Sequence, residues 1–204
     1  MMQMVKLGKI TFRQLVDTDL EMLQTFCSKC KNLGYDNNSS FESIKLDKMK
    51  MPYGQYFVGV DTEKNTIFNL AGVHHLPEVS PTAWRCLFRG AQLPGYNMSK
   101  GLTKNIFLTG YQLSYILPLQ MNFIRKQYPE CTFYMSSNTP KDAKDNSGKS
   151  MRMDTLMHNT LYKEGVLRLW KENFELFYTS QTVWEVNEKK YWQYRNKFLP
   201  SDII

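Results

Sequence analysis

Two histidines and two arginines on neighbouring predicted strands are the residues best suited to acid–base chemistry and anion binding. His74 and His75 end the segment TIFNLAGVHH, and Arg85 and Arg89 lie in the next segment, AWRCLFRG. Adjacent residues of a strand point to opposite faces, so one of the two histidines is expected to face a cleft. With an unperturbed pKa of about 6.5, that histidine is a candidate base. The alternative is a histidine at the surface or at the edge of the core.

The two arginines are expected to share one face of a regular strand, because they are separated by an even number of residues. The opposite face is expected to hold Trp84, Cys86 and Phe88. Arg89 stands directly before Gly90 at the predicted strand end and is our candidate contact for an anionic ligand, since its planar fork suits phosphate or carboxylate. The alternative for Arg89 is an internal ion pair, with Glu78 or with a carboxylate of the first helix.

No metal site is predicted from the cysteines and histidines. The four cysteines are Cys27, Cys30, Cys86 and Cys131. Cys27 and Cys30 form a CxxC pair of the kind that starts zinc and redox sites, but they lie in a predicted helix and no second CxxC follows. A chain of this size without an export signal does not need disulfides, so free thiols are expected.

The composition describes a protein with a sizeable apolar core and a positive charge. Of 204 residues, 42% are hydrophobic, 14% are aromatic and 22% are charged, and the net charge is +7. This balance excludes wholesale disorder and favours anionic partners. No apolar run reaches the roughly 18 to 20 residues of a membrane span, and the N-terminal segment lacks the apolar region of a signal peptide. A cytoplasmic protein with no membrane contact is therefore expected.

Nucleic-acid binding is a weaker alternative. The tail KKYWQYRNKF interleaves bases with aromatic rings, as single-stranded nucleic-acid binders do. No run of five or more Lys or Arg residues occurs, so a dedicated nucleic-acid arm is not predicted. The same tail is also an amphipathic terminus that would cap the domain or pair with a second copy of the chain in a homodimer.

Hydrophobic periodicity and turn residues predict alternating strands and helices. The predicted strands are Lys9–Leu15, Gln55–Val60, Thr66–His75, Ala83–Gly90, Cys131–Ser136, Phe174–Ser180 and Gln181–Val186. The first predicted helix is Asp17–Leu33, with N-cap chemistry from Asp17, Thr18 and Asp19 and a stop at Gly34. The second is Ser40–Met49, with Ser40 as its candidate cap. The others are an apolar segment 103–128 that breaks near Pro118, and Ser150–Glu164, which ends at Gly165. The short connections between the second, third and fourth strands predict an antiparallel meander. The fold class is therefore α+β, in a single domain 1–204 with a core at about 10–186 and an extension at 187–204.

This order of elements resembles that of the GNAT (GCN5-related N-acetyltransferase) family of acyl-CoA-dependent N-acyltransferases, over about Ile10 to Val186. The segment TLYKEGV is similar to the family's helix end, where a Tyr precedes a Gly before the sixth strand. The segment CTFYMSSN is similar to the family's fifth strand and the Asn that follows it, here Asn138. The resemblance implies a mostly antiparallel, twisted sheet of about seven strands flanked by helices.

The resemblance also implies acetyl-CoA or another acyl-CoA as co-substrate and an amine as acceptor. It makes Tyr162 a candidate acid that returns a proton to the leaving thiolate. With the two histidines it completes the candidate catalytic set, His75, His74 and Tyr162. The candidate cofactor contacts are Arg89, Gly90, Lys100, Gly101, Thr103, Lys104 and Asn138.

Two local features depart from the family's pattern and keep a second function open. The family's phosphate loop, Q/R-x-x-G-x-G/A, corresponds here to RGAQLPGYNMSKGLTKN, in which Met98 and Thr103 replace the first and last residues of the motif. Tyr162 precedes Gly165 by three residues, where the family usually has four, and one residue rotates a helical side chain by about 100°. A GNAT-fold binding protein without catalysis is therefore the alternative to a transferase.

Overall fold

Short strands joined by tight turns form the first half of the chain. The computed structural model describes residues 4–35, 40–50, 55–98, 105, 110–137, 157–176 and 179–200. The described chain packs as two units, Met1–Cys131 with Phe198–Ile204 and Thr132–Lys197. The first unit contains β1 (Met4–Leu7), β2 (Ile10–Gln14), β3 (Gln55–Asp61), β4 (Thr66–His75) and β5 (Ala83–Gln92). These strands are ordered β1-β2-β3-β4-β5, and every neighbouring pair is antiparallel.

The hairpin turns follow the chemistry of their residues. Asp61 closes the turn between β3 and β4 by accepting hydrogen bonds through Oδ1 from the amides of Glu63 and Lys64, each at 3.2 Å. Asn65 ends the turn with φ of 47°, a left-handed conformation that Asn adopts readily. The predicted meander is confirmed. The strand β1 was not predicted, and its turn into β2 uses Gly8 at φ of 57°.

The helices of the first unit are α1 (Leu20–Asn32), α2 (Phe41–Lys50) and α3 (Leu117–Gln127). A 3-10 turn at Asp17–Asp19 precedes α1, and a π-helical turn at Gln112–Ile116 precedes α3. Gly34, at φ of 71°, ends α1 as predicted. The predicted break near Pro118 is the change from π to α geometry, because Pro118 lies in the first turn of α3, where its missing amide is tolerated.

The carboxylate of Asp19 caps the 3-10 turn that leads into α1, by accepting from the amide of Val16, and it does not cap α1 itself. The N-cap residue, Asp19, makes no side-chain bond to the helix. Its carboxylate instead accepts two hydrogen bonds from the guanidinium of Arg13, at 2.5 and 2.7 Å, and one from the amide of Val16 at 2.9 Å. A cation on β2 competes better for this carboxylate than a neutral backbone amide does.

Ser40 caps α2 as predicted, and its removal should weaken the fold. Its Oγ accepts a hydrogen bond from the amide of Ser43 at 3.2 Å. Ser40→Ala is expected to lower the free energy of unfolding by about 1 kcal/mol, measured by urea denaturation. The matched control is Ser28→Ala on the exposed side of α1, where the hydroxyl bonds only to the Gln24 carbonyl. An equal loss in both variants would refute the capping role.

The core of the first unit is built from aromatic rings between the sheet and the π-helical turn. Phe12 stacks on Tyr115 at 4.9 Å between centroids, and it meets Phe68 edge-on at 6.0 Å. Gly59 makes room for this pair, because a Cβ there would lie 2.8 Å from ring atoms of both phenylalanines. All three aromatic side chains are fully buried.

The second unit contains β6 (Thr132–Ser137), β7 (Leu167–Leu176), β8 (Thr179–Val186), a π-helical turn at Met157–Leu161 and α4 (Glu188–Asn196). The strands are ordered β6-β8-β7 and pair antiparallel. The predicted start of β7 at Phe174 is wrong by seven residues. Among the described strands, β7 pairs only with β8, and most of its residues are exposed. Two register shifts also interrupt the pairing. The sequence of β7 therefore does not show the alternation of apolar and polar residues by which a strand is predicted.

The basic, aromatic tail forms α4, which is capped by Asn187 through a 3.1 Å hydrogen bond from the amide of Lys190. Tyr191, Tyr194 and Arg195 of this helix are buried. Gly165 ends the preceding helical turn at φ of 70°, as predicted. Among the helices of the described residues, none is long and apolar enough to cross a membrane. The fold class is α+β, as predicted, with eight strands in the described chain.

Candidate functional site

The strand β5, which carries both candidate arginines, slips twice against β4. Each step of two residues along β4 is matched by three residues along β5, which produces two β-bulges. Leu87 and Arg89 occupy the bulges with φ of 55° and 50°. A left-handed, non-glycine residue costs on the order of 1 kcal/mol and persists only where its surroundings hold it. The paired residues are Leu70 with Ala91, Gly72 with Phe88, and His74 with Arg85.

Gln120 of α3 holds the first bulge. Its Oε1 accepts a hydrogen bond from the amide of Leu87 at 3.0 Å, and its Nε2 donates to the carbonyl of Ala71 at 3.0 Å. The side chain is fully buried. It therefore replaces the strand-to-strand bonds that the bulge removes, so that the left-handed Leu87 does not leave a buried amide unsatisfied.

Gln112, in the π-helical turn, holds the second part of β5. Its Nε2 donates to the carbonyls of Leu70 and Ala91, both at 3.1 Å, and to Oδ1 of Asn69 at 2.9 Å. Gly90 lies against this side chain, since a Cβ there would be 3.3 Å from Gln112 Oε1. The side-chain amide of Gln112 thus joins the π-helical turn before α3 to the bulged strand β5.

The bulges gather charged and aromatic side chains around Phe88. The guanidinium carbons of Arg85 and Arg89 lie 5.0 and 5.3 Å from the Phe88 ring centroid, and the His74 ring meets Phe88 edge-on at 4.8 Å. The expectation that Phe88 lies opposite the two arginines is therefore wrong. Each bulge adds a residue and so reverses the alternation that a regular strand would have.

Tyr56 of β3 completes the group that we call the arginine cluster: Tyr56, His74, Arg85, Phe88 and Arg89. A Cβ on Gly72 would lie 3.0 Å from the Tyr56 ring, so the glycine lets this ring pass over β4. Burial and the charge of Arg89 lower the pKa of Arg85, and Tyr56 opposes part of that lowering. The cluster is therefore spread over three neighbouring strands.

The cluster is deep at one end and open at the other. Arg85 is 8% exposed and His74 is 4% exposed. Phe88 and Arg89 are partly exposed, and the neighbouring Gly90 is exposed. Exposure to solvent therefore increases from Arg85 towards Gly90.

The electrostatics of the cluster are positive. Burial and the charge of Arg89 lower the pKa of Arg85 to about 10, so that Arg85 remains charged at neutral pH. Burial, followed by the charge of Arg85, lowers the pKa of His74 to about 4, so that His74 is neutral there. These shifts mark a site where an added negative charge would be stabilised.

The two histidines differ in tautomer and in surroundings. A backbone carbonyl accepts hydrogen bonds, so the nitrogen that faces it carries the proton. His74 donates from Nδ1 to its neighbour's carbonyl at 2.8 Å, which places its lone pair on Nε2. His75 donates from Nε2 to the carbonyl of Pro81 at 2.7 Å and packs against Trp84 at 5.3 Å. Only His74 thus belongs to the arginine cluster, and His75 binds the turn between β4 and β5.

The cysteines of α1 lie near this group without forming a metal site. The charge of Arg89 acts on Cys27, but burial dominates and raises the Cys27 pKa to about 11. Burial likewise raises the pKa of Cys30 to about 12. Both are free, buried thiols. The described part of the chain holds no group of three or more metal-ligating side chains.

Tyr162 lies in the second unit, in the turn that follows Leu161. It is 50% exposed and meets Trp184 edge-on at 5.7 Å between centroids. The amide of Gly165 donates to its carbonyl at 3.0 Å. The other predicted contacts, namely Lys100, Gly101, Thr103, Lys104 and Asn138, lie outside the described residues.

Sequence reasoning missed four residues of this site: Tyr56, Phe88, Gln112 and Gln120. Two glutamines at a spacing of eight within an otherwise apolar helical segment were an available signal, because a buried amide must bond to something. The place of Phe88 had no such signal, since a bulge shifts the alternation without leaving a mark in composition.

The fold that these elements make is the GNAT fold, which confirms the predicted resemblance at the level of the fold. Three solved structures are similar along their length. A GCN5-related N-acetyltransferase from Brucella melitensis has a TM-score of 0.57 and 8% identity over 96% of this chain and 83% of its own. Ribosomal-protein-S5-alanine acetyltransferase from Vibrio fischeri has a TM-score of 0.55 and 8% identity, over 91% and 97%.

An uncharacterized protein from Bacillus halodurans has a TM-score of 0.59 and 12% identity, over 97% of this chain and 98% of its own. The sequence itself matches no family model, and no curated protein matches it. At these identities the similarity establishes the fold, and function has to be argued from the site.

Proposed function

We propose that the protein is an acyl-CoA-dependent N-acyltransferase, with acetyl-CoA as the simplest co-substrate and an amine as acceptor. The observation that carries the proposal is the bulged strand β5, which presents a positively charged, half-open cluster within a GNAT fold. Positive charge at the mouth of the cluster suits an anionic co-substrate.

The proposed reaction moves an acyl group from sulfur to nitrogen. An ammonium first loses a proton, and the amine lone pair then attacks the thioester carbonyl. The C–S bond breaks as the C–N bond is completed. The nitrogen then loses its extra proton, and the thiolate takes up a proton to become the thiol. One thioester and one ammonium thus give one amide, one thiol and one released proton.

We assign the base to His74, because it lies in the arginine cluster and its Nε2 carries the lone pair. His74 is neutral at pH 7 and can accept a proton there, and its pKa of about 4 makes it a weak base. His75 is the second candidate, through Nδ1, because its Nε2 is bound to Pro81. Tyr162 remains the proposed acid for the thiolate. The pH dependence of the rate in His74→Gln and in His75→Gln separates the two candidate bases. Only replacement of the true base should remove the fall in rate towards low pH.

Arg89 and Gly90 are proposed to contact an anionic group of acyl-CoA at the exposed end of the cluster. Arg89 supplies a charged fork there, and Gly90 supplies backbone without a side chain. The remaining proposed contacts are Lys100, Gly101, Thr103, Lys104 and Asn138.

A second candidate function is that of a GNAT-fold binding or interaction protein without catalysis. The segment 89–105 departs from the family's phosphate-loop pattern, and this departure favours such a protein. Release of free thiol from acetyl-CoA, followed with a panel of amines, separates the two, because only the transferase releases thiol. Three predictions from the sequence stay predictions: that the protein is cytoplasmic, that it pairs with a second copy in a homodimer, and that residues 1–204 form a single domain.

Acetyl-CoA should stabilise the protein if the transferase proposal is right. At a ligand concentration of about 100 times Kd, binding to the native state adds about 2.7 kcal/mol, which for a chain of this size is a rise of roughly 5 to 10 °C in melting temperature. Scanning calorimetry with acetyl-CoA, and with a longer acyl-CoA, measures it. No rise at millimolar concentration with any acyl-CoA would overturn the proposal.

Arg89→Ala should remove most of that rise while leaving the free protein folded, because Arg89 is partly exposed. The matched control is Arg168→Ala, a strand arginine that is 64% exposed and pairs with Glu185 at 2.6 Å in the second unit. The control should keep the full rise. An Arg89→Ala protein that responds to acetyl-CoA as the wild type does would show that Arg89 is structural.

A further inference from the structure

We propose that Gln120 is a positioning residue of the proposed acyl-CoA site, because it determines whether the strand β5 is bulged at Leu87. The bulge in turn sets where the ring of Phe88 and the backbone of Gly90 lie. This inference rests on the proposed transferase function, and it adds a residue of α3 that acts through β5 and not on a ligand. The co-substrate proposal concerns the contacts themselves, whereas this one concerns the group that holds them in place.

Gln120 bonds to one backbone group on each of the two mismatched strands. Its Oε1 accepts from the amide of Leu87 on β5, and its Nε2 donates to the carbonyl of Ala71 on β4, both at 3.0 Å. The side chain is fully buried, and so are its neighbours in α3, Leu119 and Met121. A buried amide on a packed helix has little freedom to move, so it holds both strands in a fixed relation to α3.

Without Gln120, a regular strand becomes the more favourable arrangement of β5. Leu87 has φ of 55°, a left-handed conformation that a non-glycine residue keeps only where its surroundings hold it. In a regular antiparallel ladder the same residue is extended, and the ladder itself satisfies the backbone groups. Loss of the side-chain amide removes the bonds to the Leu87 amide and the Ala71 carbonyl, and this loss favours the regular ladder.

The two arrangements of β5 place Phe88 on different faces of the sheet. In the bulged strand, the two steps from Gly72 to His74 on β4 match three steps on β5. Phe88 and Arg85 therefore lie on one face, with the guanidinium carbon 5.0 Å from the ring centroid. In a regular strand these two residues are three apart and point to opposite faces.

The first bulge also sets the backbone at the exposed end of the arginine cluster. A Cβ built on Gly90 would lie 3.1 Å from the carbonyl oxygen of Leu87, so these two residues are close neighbours in space. Arg89 stands directly before Gly90, and its guanidinium carbon lies 5.3 Å from the Phe88 centroid. A change of conformation at Leu87 is therefore expected to move both proposed contacts for acyl-CoA.

Gln112 does not replace Gln120 in this role. Its Nε2 bonds to the carbonyls of Leu70 and Ala91, which pair with each other beyond the second bulge. Loss of Gln120 is therefore expected to change the first bulge and to leave the second in place.

The first test replaces Gln120 with Met, which has a similar size and lacks the amide. Gln120→Met is expected to raise the Kd for acetyl-CoA at least about tenfold, because a misplacement of about 1 Å can cost up to about 100-fold. Isothermal titration calorimetry at a temperature where the variant is folded measures it. The matched control is Ile124→Ala, at a buried position one turn further along α3. It weakens the same helix without removing a bond to β5 and should leave the Kd unchanged, and an unchanged Kd in Gln120→Met would refute the inference.

A second change separates positioning from a general loss of stability. Glycine adopts the left-handed conformation without a steric cost, so Leu87→Gly should let the bulge persist without Gln120. Added to Gln120→Met, it is expected to lower the Kd again by at least about threefold, since the strain at this residue is gone. Two changes that merely destabilise the protein would weaken binding together. No recovery in the double variant would overturn the inference.

NMR spectra without ligand test the bulge independently of the transferase proposal. Nuclear Overhauser contacts from the Phe88 ring to the side chains of Arg85 and His74 are expected in the wild type, where the His74 ring lies 4.8 Å from that of Phe88. They should be lost in Gln120→Met and regained when Leu87→Gly is added. Contacts that persist in Gln120→Met would refute the role of Gln120.

Two further outcomes are distinguished by the same experiments. If Gln120→Met does not fold, Gln120→Asn takes its place, because it keeps the amide but shortens its reach, and the same results are expected of it. A wild type that shows the ring contacts and binds no acyl-CoA would overturn the transferase proposal, whereas the loss of the contacts in the variant would still support Gln120 as the residue that holds the bulge.

Discussion

Acidification from pH 7 to pH 4 is expected to remove about 3 kcal/mol of stability through His74 alone. The pKa of His74 is lowered from 6.5 to about 4 in the folded protein, first by burial and then by the charge of Arg85. Between these two values the unfolded chain binds a proton that the folded chain does not, so stability falls as the pH falls. The loss should reach about 2 kcal/mol at pH 5 and about 3 kcal/mol at pH 4.

Urea denaturation of the wild type and of His74→Gln at pH 7, 6, 5 and 4 isolates this contribution, because the carboxylates titrate in both proteins. The wild type should lose stability faster, by the amounts given above. The control is Ser28→Ala, a change without a titratable group at an exposed position of α1, which should retain the wild-type slope. Parallel curves for the wild type and His74→Gln would contradict a buried, neutral His74.

Asp19→Ala is expected to lower the free energy of unfolding by about 3 to 5 kcal/mol, the cost of breaking a buried ion pair from one side. Asp19 is 2% exposed and binds both Nη atoms of Arg13, whose side chain is 16% exposed. The hydrogen bonds that Arg13 donates to Asp19 raise the pKa of Arg13, so the guanidinium would remain charged and uncompensated in the variant. The amide of Val16 would lose its acceptor as well.

The matched control for Asp19→Ala is Glu63→Ala. Glu63 pairs with Lys9 at 3.2 Å, but the two side chains are 69% and 51% exposed. Exposed ion pairs contribute little, so a loss of less than about 1 kcal/mol is expected. If both variants lose the same amount, burial does not set the strength of these pairs.

Most elements of the first unit could be predicted, because their signals are local. The turn at Asp61–Asn65, the stop of α1 at Gly34 and the cap of α2 at Ser40 each depend on one or two residues and their neighbours. The start of β7 could not be predicted, since a strand with one described partner and two register shifts shows no alternation. The strand β1 was missed because four residues carry too little periodicity.

The features of the candidate site also divide into those with a local signal in the sequence and those without one. The two arginines and the two histidines were predicted as the candidates on β4 and β5, from residue type and strand position alone. Their grouping was not predicted. The sequence predicted Phe88 on the opposite face, and the two bulges place it between the arginines.

From the sequence we could predict an α+β fold that resembles the GNAT fold, with histidines and arginines on two adjacent strands. Local propensity and alternation encode those facts. The three-dimensional packing was needed to show that His74 rather than His75 lies with Arg85, and that Gln112 and Gln120 hold the bulged strand in shape. The physical reason is that a bulge is stabilised by groups distant in sequence, here an α3 amide 33 residues from the backbone it binds.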